Sequence, residues 1–139
     1  MNNIFRACEN DDVEKFLVYK ELINSKNEYG STPLIVASFW GSLNVIKIML
    51  KMDVVINDID RWGSTALFNA ACRGYTEIVE LLLQNGADIN IKNIFGNTAY
   101  RTASVKGYKK ILELLEYYNK KRQTNILHNL IYLQFPIYD

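Results

Sequence analysis

The chain has 139 residues, 49% of them apolar and 22% charged, with 16 Lys and Arg against 15 Asp and Glu. This length is enough for one domain whose core needs neither disulfides nor metal, and the net charge of +1 argues against a surface that binds nucleic acid or membrane through charge over its whole area. Two Cys and one His are too few for a disulfide framework or a zinc site, and no apolar run is long enough for a transmembrane helix.

The amino-terminal residues lack the basic-then-apolar layout of a signal peptide. The two Cys show no pairing pattern, and together these observations favour a reducing compartment, which we take to be the cytoplasm. Asn, Ile, Lys and Tyr make up 50 of the 139 residues (15, 15, 11 and 9), and their codons are AT-rich. The composition therefore indicates an AT-rich source genome.

One six-residue pattern occurs three times at a spacing of 33 residues, beginning at Tyr29, Trp62 and Phe95. The register holds further along the chain, with Ala at positions 37, 70 and 103 and Gly at positions 41, 74 and 107. Apolar pairs follow at 45–46, 78–79 and 111–112. Self-similarity at such a period predicts stacked structural repeats.

Each repeat predicts two helices. The first begins after a Thr suited to an N-cap, at positions 32, 65 and 98, and ends at the Gly of the same repeat. The predicted first helices are 33–40, 66–73 and 99–106. The second helices are predicted at 44–51, 77–84 and 110–118, with apolar residues at helical spacing. After the second helix, the repeat that begins at Trp62 has Gly86, whereas the repeat that begins at Tyr29 has Asp53, which is expected in the left-handed conformation.

These patterns resemble the ankyrin-repeat family, through Thr32-Pro33-Leu34 and the run Leu-Leu-Leu-Gln-Asn-Gly-Ala-Asp-Ile-Asn at 81–90. The resemblance implies an all-α solenoid of helix-turn-helix units with hairpin loops. The predicted full repeats are 29–61, 62–94 and 95–121. Residues 1–28 resemble a divergent capping repeat with Asp11 in place of the usual Gly, which makes about four repeats, above the minimum for stability. The family's usual His is replaced here by Ile35, Phe68 and Arg101.

The tail, residues 122–139, fits no repeat. Ile126, Leu127, Leu130 and Ile131 have helical spacing, and 135–138 is expected to be extended. Two interpretations are open. The tail is a lid over the exposed end of the stack, at Ile111, Leu114 and Leu115, or it is a partner-binding segment. The lid is the favoured interpretation.

The sequence predicts no catalysis and no cofactor. Cys8, Cys72 and His128 lie in three different units, and nothing supplies an oxyanion hole or an orienting group for a Cys–His pair. Buried free Cys is the simpler interpretation. The glycines recur as turn formers and do not cluster as a phosphate loop.

The binding interpretation is stronger. The resemblance implies that hairpin tips and exposed positions of the first helices form a concave surface for a protein partner. By register, the predicted partner-binding residues are Tyr29, Phe39, Trp40, Arg61, Trp62, Arg73, Phe95 and Lys106. Trp, Tyr and Arg are enriched at binding hot spots. Packing along the hairpins is the alternative role, which stays open for Tyr29 and Phe95, whereas partner contact is favoured for Trp40 and Trp62. We expect a monomer.

Charge is unevenly distributed. Residues 1–28 hold four basic and six acidic side chains, hence −2, and residues 92–122 hold eight basic and two acidic, hence +6. The simple interpretation is a solvated outer face of the last repeat. The alternative is a site for an acidic protein or a nucleic acid, although no base-reading module is present and nucleic acid is the less favoured partner.

The resemblance implies two further features. Asn90, and less closely Asn57, match the family's context for asparagine hydroxylation, although hydrogen bonding between adjacent hairpins is the favoured role for such residues. Ankyrin-repeat proteins of AT-rich intracellular bacteria, viruses and protists often resemble host-interaction factors. For such a source, delivery into a host cell is the corresponding expectation.

Overall fold

The computed structural model describes residues 3–135. In this part of the chain the secondary structure is all-helical, with turns between the helices. The helices are α1 (Asn3–Glu9), α2 (Val13–Val18), α3 (Pro33–Trp40), α4 (Leu43–Met49), α5 (Ala66–Arg73), α6 (Thr76–Gln84), α7 (Ala99–Lys106) and α8 (Lys109–Gln134), with one 3-10 turn at Lys20–Leu22. Each odd-numbered helix packs on its even-numbered successor and on the next odd-numbered helix. The predicted helical repeat solenoid is confirmed.

The three inner helices, α3, α5 and α7, have the bounds predicted from the sequence. At each amino terminus a Thr hydroxyl oxygen accepts a hydrogen bond from the backbone N–H three residues ahead, at 3.3 Å for Thr32, 3.1 Å for Thr65 and 3.2 Å for Thr98. At each carboxyl terminus a Gly is left-handed, with φ between 72° and 78°. Local capping chemistry therefore sets both ends of these helices.

The glycines that end α3 and α5 have a second role in stacking. A Cβ on Gly41 would lie 2.8 Å from Cζ of Tyr75, and one on Gly74 would lie 3.0 Å from Cζ of Tyr108. A Cβ on Gly107 would meet no atom within 4 Å. The first two glycines thus leave room for a Tyr of the following repeat, in addition to adopting the left-handed conformation.

The core lies between the inner helices and the outer helices α2, α4, α6 and α8. Ala37, Ala70 and Ala103 are fully buried, which keeps the inner helices thin enough to stack closely. Larger apolar side chains fill the space behind them, such as Met49 and Leu82, both with no exposed surface.

The capping unit joins the stack through Asp11. Its backbone is left-handed, with φ 53°, at the position where the family has Gly. Its carboxylate accepts hydrogen bonds from the backbone N–H of Val45 at 2.8 Å and from the side-chain amide of Asn44 at 2.8 Å. Asp11 therefore supplies a link to α4 that Gly lacks.

The expectation for Asp53 is wrong, because Asp11 is the only non-Gly residue with positive φ in the described part of the chain. The turn after α4 closes instead through a hydrogen bond from the Val54 N–H to the Met52 carbonyl at 2.9 Å. This tight closure needs no left-handed residue.

The lid interpretation of the tail is also wrong. Residues 122–134 continue α8, which runs well past the predicted end at 118, and an unbroken helix does not fold back over its own first turns. No Gly or Pro interrupts residues 108–135, so nothing in the sequence stops the helix. Beyond Phe135, the segment expected to be extended lies outside the described residues.

Candidate protein-binding surface

Three turns of the same design lie at the tips of the loops between repeats. We call residues 27–31, 60–64 and 93–97 the tip turns. In each, a side-chain oxygen of the first residue (Asn27, Asp60 or Asn93) accepts hydrogen bonds from two backbone N–H groups ahead of it, at 2.9–3.0 Å. These Asx bonds fix the aromatic residue that follows in each turn.

Neighbouring tip turns are joined by backbone hydrogen bonds. The Arg61 N–H donates to the Tyr29 carbonyl at 3.1 Å, and the Ile94 N–H donates to the Trp62 carbonyl at 2.9 Å. The aromatic residues at 29, 62 and 95 therefore lie in a row along the stack, as the register predicts.

A groove of about 560 Å³ lies between the tip turns and the helices α3 and α5. Most of its lining comes from these helices and the tip turns, with Glu9 at the amino-terminal end. It is lined by Glu9, Asn27, Tyr29, Ser31, Ile35, Val36, Phe39, Trp40, Asp60, Trp62, Ser64, Phe68, Asn69, Asn93 and Phe95. We call it the concave groove.

Five of the eight predicted binding residues line the concave groove, namely Tyr29, Phe39, Trp40, Trp62 and Phe95. Their exposed fractions are 47%, 38%, 52%, 42% and 73%. Such a set of half-exposed aromatic side chains around one depression is typical of a protein-binding site.

The predicted Arg61 does not line the groove but lies against two of its rings. Its Cζ is 5.1 Å from the centroid of the Tyr29 ring and 5.2 Å from that of Trp62. The two rings are 6.1 Å apart and nearly parallel, and an Nη of Arg61 donates to the Glu28 carbonyl at 2.9 Å. Cation–π attraction and this hydrogen bond hold Tyr29 and Trp62 together.

The other two predicted cations reach back to the preceding repeat. The Cζ of Arg73 is 4.6 Å from the Phe39 ring centroid, and Nζ of Lys106 donates to the Cys72 carbonyl at 2.8 Å. Neither residue lines the concave groove. Both nonetheless lie on the inner face, at the carboxyl ends of α5 and α7.

Sequence reasoning missed several lining residues, especially Glu9, Ile35, Phe68 and Asn69. Two of them could have been predicted from the sequence, because Ile35 and Phe68 occupy the positions where the family has His. Apolar side chains there make the floor of the groove less polar than a row of imidazoles would.

The Asn residues at 24, 57 and 90 test the alternative roles expected for Asn90. The Asn57 side chain accepts from the Asp88 N–H at 2.8 Å and donates to the Gly86 carbonyl at 3.4 Å, and Asn24 binds Asp53 and Val55 in the same way. In the described residues the Asn90 side chain makes no such bond, and it is exposed. The bridging interpretation therefore holds for Asn57 and is wrong for Asn90.

The cysteine environments differ in accessibility. Cys8 is fully buried, and burial, with smaller contributions from the charges of Glu9 and Asp11, raises the pKa of its thiol to about 12. Such a thiol is protonated at neutral pH and is a poor nucleophile. Cys72 is partly exposed on α5. No three His, Cys, Asp or Glu side chains come together as metal ligands within residues 3–135.

Comparison with known families agrees with this geometry. Residues 53–126, more than half of the chain, match the family model for ankyrin repeats in three copies, and residues 29–61 match the model for a single ankyrin repeat. The chain belongs to the ankyrin-repeat family. No curated protein matches the sequence.

Ankyrin repeats are generally protein-interaction modules, and proteins of the family are typically non-catalytic. The aromatic groove is consistent with a general role in protein interaction. None of the helices among residues 3–135 is both long and apolar enough to cross a membrane.

Proposed function

We propose that this ankyrin-repeat chain binds a partner protein through the concave groove and catalyses no reaction. The observation that supports the proposal most directly is the row of aromatic side chains around the groove, whose exposed fractions range from 38% to 73%. Large apolar side chains gathered at one depression gain free energy when a partner removes them from water.

The scaffold is suited to binding without rearrangement. Asx bonds fix each tip turn, and backbone hydrogen bonds join one tip turn to the next. A preorganised surface loses less conformational entropy on association than a flexible one. The proposed mechanism is therefore complementarity between a rigid groove and the partner.

Replacing Trp62 tests this function. Trp62→Ala is expected to weaken partner binding by about 2 kcal/mol, roughly 30-fold, because a central aromatic anchor is lost. Partner capture from lysates of candidate source or host cells identifies the partner, and calorimetry with the purified partner then measures the affinity.

Tyr132→Ala serves as the control, because Tyr132 is an aromatic residue with 49% exposure on α8, away from the groove. It is expected to bind like the unmodified chain. A large fall in thermal stability of Trp62→Ala with unchanged affinity would show that the tryptophan has a structural role and would contradict the proposed function.

A second function, binding of an acidic protein or nucleic acid by the last repeat, has one observation in its favour. Lys92, Lys109, Lys110 and Lys120 are exposed, and none of them takes part in an ion pair within the described residues. This alternative would be favoured if the affinity for the captured partner or for a nucleic acid falls steeply as the salt concentration rises and is unchanged in Trp62→Ala.

The proposed state is a monomer in the cytoplasm, with action inside a host cell if the source is an intracellular parasite or virus. The exposed apolar side chains at the end of α8 make the oligomeric state worth measuring, because monomers rarely expose extended apolar patches. Light scattering across a range of protein concentrations gives the mass, and a constant mass of 16.1 kDa supports the monomer.

A further inference from the structure

The inner helices of the full repeats carry basic side chains and no acidic ones. α3, α5 and α7 contain no Asp or Glu, and their charged residues are Arg73, Arg101 and Lys106. The carboxylates lie on the outer helices, as Glu77 and Glu80 of α6 and Glu113 and Glu116 of α8, although α8 also carries five basic residues. The full-repeat part of the inner face is thus basic and has no carboxylate on its helices.

Two guanidinium groups lie beside the aromatic groove with donors still available. Arg73 is held against the Phe39 ring and makes no hydrogen bond or ion pair with the described residues. Arg61 is held against the rings of Tyr29 and Trp62, and one of its nitrogens donates to a backbone carbonyl. Arg61 forms no ion pair in this part of the chain. Ring contacts therefore position both groups while leaving N–H donors for a carboxylate.

The amino-terminal end of the groove carries a carboxylate, that of Glu9, and a second one, Asp60, lies in the middle tip turn next to Arg61. One carboxylate oxygen of Asp60 already accepts two backbone hydrogen bonds. A partner's acidic group is repelled by Glu9 and attracted by Arg73, so charge favours one placement of an acidic side chain relative to the apolar part of the groove.

We infer that the concave groove binds a segment of the partner protein in which a large apolar or aromatic side chain is flanked by acidic residues. The apolar side chain lies among Trp40, Trp62 and Phe68, and a carboxylate toward the carboxyl-terminal repeats pairs with Arg73. This inference depends on the proposed function, because it specifies the chemistry of the partner at the same groove.

The same cations and rings also suit single-stranded RNA, but the carboxylates argue against it. Glu9 and Asp60 line the groove itself, and a nucleic-acid strand carries a phosphate at every nucleotide, so it meets these groups along its path. A peptide places its negative charges only where acidic side chains occur. The charge pattern therefore favours the peptide.

Three synthetic peptides and one RNA test this inference with the full chain. The peptides share a central Gly-Trp-Leu-Gly and carry pairs of Glu, Gln or Lys on both sides, each labelled with an uncharged dye, and the RNA is a twelve-residue oligouridine. Fluorescence anisotropy gives the affinities at two salt concentrations. The Glu-flanked peptide is expected to bind about tenfold more tightly than the Gln-flanked one, and the Lys-flanked one most weakly.

Arg73→Gln is expected to reduce binding of the Glu-flanked peptide about fivefold and to leave the Gln-flanked peptide unchanged. Lys110→Gln changes the net charge equally at an exposed site on α8 and is the matched control, with no change expected. Circular dichroism and urea unfolding establish that both variants are folded.

The inference is overturned if the Gln-flanked or Lys-flanked peptide binds as tightly as the Glu-flanked one, if none of the peptides binds, or if oligouridine binds more tightly and loses affinity in Arg73→Gln. Failure of the proposed function is a separate result. If Trp62→Ala leaves binding of the captured partner intact, the groove is not the binding site and the proposed function fails. If the three peptides bind equally and Trp62→Ala still weakens binding of the captured partner, the groove remains the site and only the preference for acidic residues is removed.

Discussion

The first two tip turns are joined more firmly than the second and third. At both junctions one backbone hydrogen bond links the turns. At the first junction the Tyr29 and Trp62 rings also stack, with Arg61 against both. At the second, Ile94 stands in the place of Arg61 and is 63% exposed, and Phe95 is 73% exposed.

The same register position thus produces two kinds of surface. A long side chain with a planar charged end contacts both neighbouring rings, whereas a β-branched apolar side chain leaves the next ring uncovered. Packing along the loops, one of the two roles open for the aromatic residues, describes Tyr29 well. For Phe95 we propose partner contact, because no ring or cation covers it within the described residues.

The largest expected change in stability is at the helices of neighbouring repeats, where a Gly that ends one inner helix packs against a Tyr of the next repeat. Gly41→Ala is expected to lower the free energy of unfolding by about 3 kcal/mol, because an Ala is strained at φ 76° and its Cβ also meets the Tyr75 ring. Urea denaturation followed by circular dichroism measures the change.

Gly107→Ala is the matched control, because its φ is 72° but a Cβ there meets no atom within 4 Å. Its expected loss is about 1.5 kcal/mol, from backbone strain alone. Equal losses for the two variants would show that the Tyr contact contributes nothing to stacking.

Arg61→Ala tests the tip-turn comparison directly. We expect a loss of about 1 kcal/mol in the free energy of unfolding, because two ring contacts and one hydrogen bond disappear. Ile94→Ala, the equivalent change one repeat later, is expected to lose less than about 0.5 kcal/mol, since an exposed side chain contributes little. If Ile94→Ala is as destabilising as Arg61→Ala, the two junctions are not energetically different.

The smallest expected change in stability is at the carboxyl-terminal end of α8, beyond the last tip-turn junction. Ending the chain after residue 123 removes the exposed end of α8 and is expected to change the unfolding free energy by less than about 0.5 kcal/mol. Leu115→Ala, at a side chain with 1% exposure, is expected to lose about 3 kcal/mol. A loss in the truncated chain close to that of Leu115→Ala would show that the end of α8 does stabilise the stack.

Inner helix bounds follow from the sequence because their causes are local. A Thr side chain caps three residues ahead and a Gly ends the helix without strain, so Thr65 and Gly74 define α5 by themselves. The lid interpretation of the tail is wrong because it overlooks a local signal of the same kind, the lack of a helix-breaking residue. A lid requires a break between Leu115 and Ile126, and the sequence contains neither Gly nor Pro there.

The groove follows from the sequence in part. Register alone places Tyr29, Trp62 and Phe95 on one surface. It does not show that Arg73 crosses to the Phe39 ring or that Lys106 reaches the Cys72 carbonyl, because such contacts depend on side-chain rotamers between repeats. The part played by Ile35 and Phe68 was visible only as a departure from the family's pattern.

The position of the tryptophans has a practical consequence. The chain contains two, and both Trp40 and Trp62 line the concave groove. Ultraviolet emission excited at the red edge of protein absorption therefore originates entirely from the groove. The protein carries its own optical reporter of occupancy there, and a titration needs no added label to distinguish binding in the groove from binding at the distant end of α8.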